Sequence, residues 1–238
     1  MKNIVRFGTE YGGFFYPDKL DNLNENSIIY CVGAGEDISH DIIIANQLNS
    51  KVYIFDPTPR SIQHIQYIKD IFDNKTEIVH SNRYGGGNKN YLNILLNNKI
   101  PVENICFYDY GLYIEDTELK FYKPENPEYV SHSLIKSMKS DDYIMVQVKK
   151  LKTIMQELNH TKIDLLKIDI EGCECDVLEQ MIQDNIFPLY LSVDFDLART
   201  NSIQNIQRCN SIINLLINNG YTLLKNLNYD CSFQYIKH

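Results

Sequence analysis

Four acidic side chains late in the chain, Asp169, Glu171, Asp194 and Asp196, stand at the ends of two apolar runs, 163–172 and 188–193. Carboxylates gathered at neighbouring strand tips have two chemical uses. They hold a divalent ion such as Mg²⁺ or Mn²⁺ through oxygen ligands, or one of them accepts a proton because the others raise its pKa. Either serves to deprotonate an alcohol, which is a poor nucleophile at neutral pH. Asp169, Asp194 and Asp196 are therefore the candidate catalytic residues and, equally, the candidate metal ligands, with Glu171 beside them facing a substrate. Plain capping and solvation is the bland alternative for the set. A second constellation lies upstream: Gly33-Ala34-Gly35-Glu36, then Asp56 about 20 residues after the turn, a spacing suited to a carboxylate that accepts hydrogen bonds from the two hydroxyls of a ribose.

That spacing describes an adenosine-containing cofactor, and the turn discriminates between two of them. A dinucleotide turn needs a third glycine where this chain has Ile38, and Glu36 and Asp37 put negative charge where a pyrophosphate would lie. The cationic sulfonium and amino group of S-adenosylmethionine tolerate that charge, so S-adenosylmethionine is the expected cofactor. Its candidate binding residues are Gly33, Ala34, Gly35, Glu36, Asp56, Pro57 and Thr58, with Asp109, Tyr110 and Gly111 as a third acidic strand tip near an adenine amino group.

The elements that position these groups follow from periodicity. Residues 28–32 and 52–55 are short, apolar and β-branched, as in strands buried on both faces of a parallel sheet, and Ile42, Ala45 and Leu48 fall at helical spacing between them. Pro57-Thr58-Pro59 leads into a helix carrying Ile62, Ile65, Ile68 and Phe72, with Thr58 as its candidate N-cap. Further strands are expected at 105–108, 117–122, 145–148, 163–168 and 188–193, with helices at 91–96, through Val177, Leu178, Met181 and Ile182, and from Ile203 to Gly220. Residues 221–224 and 231–236 read as a closing hairpin, which makes the terminal strand antiparallel in a mostly parallel, seven-stranded sheet. Gly85-Gly86-Gly87 reads as a flexible surface connection.

Two segments stand outside this frame. Residues 1–26 form an N-terminal arm or a lid; the aromatic and glycine-rich stretch 7–14 within residues 1–20 argues against a regular core helix or strand there, and Tyr11, Gly12 and Gly13 would meet the substrate. Residues 113–150 contain a proline- and serine-bearing excursion, 123–142, of the kind that lines a substrate cleft, and His132 within it is a candidate catalytic or substrate-binding residue.

At 238 residues the chain suits one α/β domain. The net charge of −8 argues against a nucleic-acid backbone as partner, and no apolar run is long enough to cross a bilayer. The first ten residues lack the apolar core of a signal peptide, and six scattered cysteines without a second pair at zinc spacing read as reduced, mostly buried thiols, so a reducing, cytoplasmic compartment is expected.

Four segments together carry a family resemblance: Val-Gly-Ala-Gly-Glu-Asp-Ile-Ser at 32–39, Phe-Asp-Pro-Thr-Pro-Arg at 55–60, Val-Ser-His-Ser at 130–133 and Asp-Leu-Leu-Lys-Ile-Asp-Ile-Glu-Gly-Cys-Glu at 164–174. They resemble the FkbM-type S-adenosylmethionine-dependent methyltransferases, in the branch that includes the methyltransferase-like 24 proteins. The resemblance implies a class I methyltransferase fold, Rossmann-like and doubly wound, over 27–238, and O-methyl transfer to a hydroxyl of a sugar or glycan. It also implies that Gly33, Gly35 and Asp56 are cofactor positions. The chain departs from that pattern twice. Asp194-Phe195-Asp196 replaces a Glu-Phe-His-like strand end, and Cys31 stands where many methyltransferases have an acid, which leaves the methionine amino group to Glu36, Asp169 or backbone carbonyls. The rival readings are an NAD-dependent oxidoreductase or sugar-nucleotide enzyme, and a non-catalytic cofactor-binding partner protein.

Overall fold

The apolar runs become the strands of one large sheet in the computed structural model, which describes residues 3–78, 84–122, 142–200 and 202–236. After an N-terminal hairpin, β1 (Ile4–Phe7) and β2 (Phe14–Pro17), the chain runs β3 (Ile29–Val32), α1 (Ser39–Leu48), β4 (Val52–Phe55), α2 (Pro59–Phe72), the single turn α3 (Tyr84–Gly87), α4 (Tyr91–Asn97) and β5 (Ile105–Tyr108). It continues through β6 (Gly111–Leu112), β7 (Thr117–Tyr122), β8 (Tyr143–Lys149), α5 (Leu151–Glu157), β9 (Leu165–Ile168), α6 (Glu174–Gln183), β10 (Tyr190–Asp194), α7 (Ile203–Asn218), β11 (Tyr221–Leu227) and β12 (Asp230–Tyr235).

The main sheet has the order β11-β12-β10-β9-β3-β4-β5. β12 runs antiparallel to both neighbours, as the closing hairpin predicts, and β10, β9, β3, β4 and β5 pair in parallel. The chain travels from β3 outward to β5, then returns to β9 on the other side of β3, so the order reverses between β3 and β9. Open α/β sheets bind ligands outside the strand C-termini at such a switch point. β6, β8 and β7 form a separate three-stranded sheet.

Two apolar layers sandwich the sheet. Ile29, Cys31, Ile54 and Leu165 point to the face covered by α1, α2, α4 and the hairpin; Tyr30, Val32, Leu166, Ile168 and Val193 point to the face covered by α5, α6 and α7. All four residues of β3 and of β9 are buried, which is why their sequences lack alternation.

Two expectations change here. Residues 1–26 contain two regular strands, because only 8–13 is glycine-rich; Phe7, Phe14 and Tyr16 on either side enter the core. The glycine triplet is no loose connection. Gly85 is buried against Tyr91, its N–H donates to the Glu36 carbonyl at 2.9 Å, and Gly85 and Gly86 are both left-handed. Segment 123–141, with His132 and 130–133, lies outside the described residues.

Candidate functional site

The turn after β3 can only be built with glycine at its first position. Gly33 has φ +80°, and a Cβ there would stand 1.6 Å from the Asp169 carbonyl oxygen at the end of β9. The neighbouring amides are held by Asp56, which β4 delivers beside the turn. Its Oδ2 accepts from Ala34 N and Gly35 N at 2.9 Å each, and its Oδ1 from Thr58 N at 2.8 Å and the Thr58 hydroxyl at 2.6 Å. Thr58 thus occupies the N-cap position of α2 but spends its hydroxyl on Asp56 and makes no side-chain cap. Farther into the turn, Ile38 N donates to the Tyr91 hydroxyl at 3.0 Å and Ser39 N to Asp37 Oδ1 at 2.8 Å.

Below the turn lies a buried polar layer that the sequence did not announce. Lys167, 2% exposed in the middle of β9, pairs in register with Cys31 and Ser192. Its ammonium donates to the Gly33 carbonyl and lies 3.9 Å from Asp169 Oδ2. Burial disfavours that charge, but Asp41, Asp169, Cys31 and Asp37 more than compensate, so its pKa stands above the usual lysine range. Cys31, His40 and Asp41 have the spacing of a metal triad. Both His40 ring nitrogens are engaged, however, by Asp41 at 3.0 Å and Tyr16 at 3.1 Å, and burial raises the Cys31 thiol well above its usual range.

A cleft of about 370 Å³ opens over the turn and the C-terminal ends of β3, β4, β9 and β10, a volume suited to a small organic ligand. Glu10, Tyr11 and Gly12 line it from the hairpin, and Gly111, Leu112 and Phe121 from the small sheet. Thr9 anchors the hairpin tip: its N–H donates to Ser39 Oγ at 2.8 Å and its hydroxyl to Asp37. Tyr11 is 60% exposed as a residue, yet the surroundings of its hydroxyl raise its pKa to about 12, first by desolvation and then through Asp169, Glu171, Asp37 and Asp196.

The acidic rim is electrostatically crowded. Ligand oxygens of Asp169, Glu171 and Asp196 lie within 4.8 Å of one another. Burial first, then Glu171, Asp194 and Asp169, push the Asp196 carboxyl up to about 9. Asp169 is raised to about 6 by burial and Asp194 against the opposing charge of Lys167. Asp194, also raised by burial to about 6, shares Arg199 with Asp196: Nη1 reaches Asp194 at 2.6 Å and Asp196 at 2.9 Å, and Nη2 contacts Asp230. Behind the rim, Glu174 accepts from Gly172 N at 2.8 Å and is pushed up to about 8 by its burial.

The cleft gathers Tyr11, Gly12, Gly33, Ala34, Gly35, Asp56, Pro57, Thr58, Gly111, Asp169, Glu171, Asp194 and Asp196, all expected from the sequence. Other expected groups lie elsewhere or are grouped differently. Glu36 is buried and turned to Arg60, whose Nη2 lies 2.8 Å from its Oε2. Asp109 is exposed and lines no part of the cleft, because β5 ends at Tyr108 and the chain turns before β6; Tyr110 packs on Phe55 and Tyr108 instead. Gly13 is sealed inside the hairpin turn, where a Cβ would meet the Thr9 carbonyl at 2.4 Å. As a metal set, Asp169 and Asp196 are joined by Glu171 in place of Asp194. The sequence reading did not assign Arg199, Lys167 or Phe121 to the site, and read Asp37 only as charge at the turn. Only Arg199 had a signal, a cation three residues after Asp196 in a short 3₁₀ turn, Asp196–Thr200.

No curated protein and no solved structure matches the chain. Residues 28–223 match the Methyltransferase FkbM domain. Because that match runs from the start of β3 into β11, across the glycine turn, Asp56 and the acidic rim, the chain belongs to the FkbM methyltransferase family.

Proposed function

We propose that the chain is an S-adenosylmethionine-dependent O-methyltransferase whose acceptor is a hydroxyl of a sugar or glycan. One observation carries the choice of cofactor: the amides of Ala34, Gly35, Ile38 and Ser39, which a dinucleotide turn would offer to a pyrophosphate, are already committed to Asp56, Tyr91 and Asp37. A phosphate would therefore meet carboxylates rather than donors. Among the described residues seven acidic side chains line the cleft against one cation, Arg199, which is itself held by Asp194, Asp196 and Asp230. Such a field favours a cationic cofactor and an acceptor rich in hydroxyl donors and poor in anionic groups.

When bound, S-adenosylmethionine supplies a methyl group on a cationic sulfur, open to in-line displacement. The chain's own residues do the rest. Asp56 fixes the turn, and its bond from the Thr58 hydroxyl is the exchangeable one, which a ribose hydroxyl can replace without orphaning an amide. Tyr11 and Phe121 wall the cleft on the acceptor's side. Asp169, with its pKa near 6, is largely ionised at neutral pH and basic enough to take the proton of an acceptor hydroxyl. Asp196, near 9, retains its proton and can donate a hydrogen bond. The triad spacing of Asp169, Glu171 and Asp196 supports a second reading of the same step, in which these three hold Mg²⁺ or Mn²⁺ and lower the pKa of the hydroxyl.

The test is incubation with labelled methyl donor and a panel of neutral sugars, amino sugars, nucleotide sugars and glycans, with and without EDTA and Mn²⁺. Transfer to an uncharged or amine-bearing acceptor is expected, abolished by Asp169→Asn while S-adenosylhomocysteine binding is spared in part. Loss of transfer on chelation selects the metal reading, and persistence selects the base. Binding of NADH without S-adenosylhomocysteine would overturn the assignment in favour of an oxidoreductase. Cofactor binding without turnover on any acceptor, unaltered by Asp169→Asn, would leave a non-catalytic partner protein.

A further inference from the structure

We propose that Lys167 is a positioning residue for this site: its buried ammonium ties the Gly33 carbonyl of the cofactor turn to the Asp169 carboxylate of the acidic rim, and cofactor affinity depends on that tie. The inference rests on reading the cleft as a cofactor site.

Lysine is almost never fully buried unless it is paired, and a strand packed between two apolar layers has no packing need for one. Lys167 is 2% exposed, flanked in the sheet by Cys31 and Ser192. Its hydrogen bond goes to the Gly33 carbonyl, across from its own strand. Two residues along β9's path, on the same side of the chain, Asp169 lies 3.9 Å from the same ammonium. Gly33 is also the residue whose missing Cβ lets the turn rest on the Asp169 carbonyl. One charge therefore fixes the turn and the acid together, where a cofactor bound in the cleft would touch both.

A simpler role exists. Asp41 is fully buried, its Oδ2 without a hydrogen-bond partner among the described residues, and Lys167 could serve only as its counter-ion. The two roles separate in the double variant Lys167→Met/Asp41→Asn, which removes the buried charge together with its counter-charge. A pure counter-ion predicts restored folding and restored affinity for S-adenosylhomocysteine.

Positioning predicts instead that the double variant melts close to the wild type yet binds S-adenosylhomocysteine about tenfold or more weakly, the loss expected for one charged hydrogen bond. Calorimetric titration and a thermal melt read the two quantities. A second measurement needs no folded variant. In wild-type protein carrying ¹⁵N-lysine, the slowly exchanging buried ammonium should shift on titration with S-adenosylhomocysteine. Wild-type affinity in the folded double variant, or a buried ammonium signal indifferent to the ligand, would overturn the proposal. A wild-type chain that binds no S-adenosylhomocysteine would instead defeat the cofactor reading itself.

Discussion

The two halves of the cleft are built on opposite principles. Around the glycine turn the polar groups are matched: Asp56 accepts four hydrogen bonds, and Ile38 N and Ser39 N each have a fixed acceptor. On the rim, at the ends of β9 and β10, the carboxylates outnumber their donors. Arg199 serves three of them, Asp196 Oδ2 and Glu174 Oε2 are buried without a partner among the described residues, and four carboxyl groups are lifted to between about 6 and 9. A satisfied network costs little to keep and much to break; a crowded one is unfavourable until a cation, a proton or a hydroxyl-rich ligand relieves it. The halves should therefore respond to mutation with opposite signs.

The largest effect is expected at Gly33. Alanine there must adopt a left-handed backbone, at about 1–2 kcal/mol, and its methyl overlaps the Asp169 carbonyl, which adds about 1–3 kcal/mol for displaced packing. Gly33→Ala should lower the melting temperature sharply and abolish S-adenosylhomocysteine binding. A folded Gly33→Ala protein that binds normally would show that the turn is not as tightly determined as its contacts indicate. Asp56→Ala comes next. It leaves Ala34 N and Thr58 N buried without acceptors, at about 1–3 kcal/mol each, and removes the acceptor proposed for the ribose. Stability and cofactor binding should fall together, with Asp56→Asn intermediate because it retains one acceptor oxygen.

The rim should behave in reverse. A carboxyl whose folded pKa is raised holds its proton in the native state through a window where the unfolded chain has lost it, so stability falls as pH rises through that window. For Asp196 the window runs from the ordinary value near 4 up to about 9. The wild-type protein without ligand should thus melt at progressively lower temperature from about pH 5 to pH 9. Asp196→Asn should flatten that slope and melt several degrees higher than wild type at the alkaline end, with cofactor affinity preserved. If Mn²⁺ produces the same flattening in wild type but not in the variant, the metal reading gains direct support. A steeper slope in Asp196→Asn would show that Arg199 stabilises the ionised acid more than its neighbours oppose it.

This contrast also explains what the sequence could and could not disclose. Apolar runs and helical spacing depend on local pattern, so β3, α1, β4, β9 and the closing hairpin were legible, and acids at strand tips could be placed near a cleft. Direction was not legible. Glu36 and Asp109 sit beside the same tips, yet one turns to Arg60, 24 residues away in sequence, and the other to solvent. Lys167 is invisible for a similar reason: a long side chain inside an apolar strand looks like a strand residue until the Gly33 carbonyl is seen across the sheet. The spacing of Asp56 places it beside the turn, but nothing in that spacing reveals that two turn amides also donate to it.

The smallest expected effect tests whether the hairpin belongs to the cofactor half or to the rim. Gly86 is left-handed at φ +64°, and a Cβ there would stand 2.4 Å from Cγ of the Tyr11 ring. Gly86→Ala incurs the left-handed penalty of about 1–2 kcal/mol, which in a chain of this size lowers the melting temperature by about 2–4 °C per kcal/mol. The Tyr11 ring is largely exposed, so it can yield by swinging toward the cleft mouth rather than by unpacking the core. The turn at 33–35 keeps its bonds to Asp56, so S-adenosylhomocysteine affinity should stay within about twofold of wild type, well under the tenfold that 1.4 kcal/mol represents. Acceptor turnover, once an acceptor is found, should decline through KM, since Tyr11 lines the cleft among Asp169, Glu171 and Asp196. A loss of cofactor affinity in Gly86→Ala would instead place Tyr11 over the cofactor and move the boundary between the two halves from β9 to the hairpin tip.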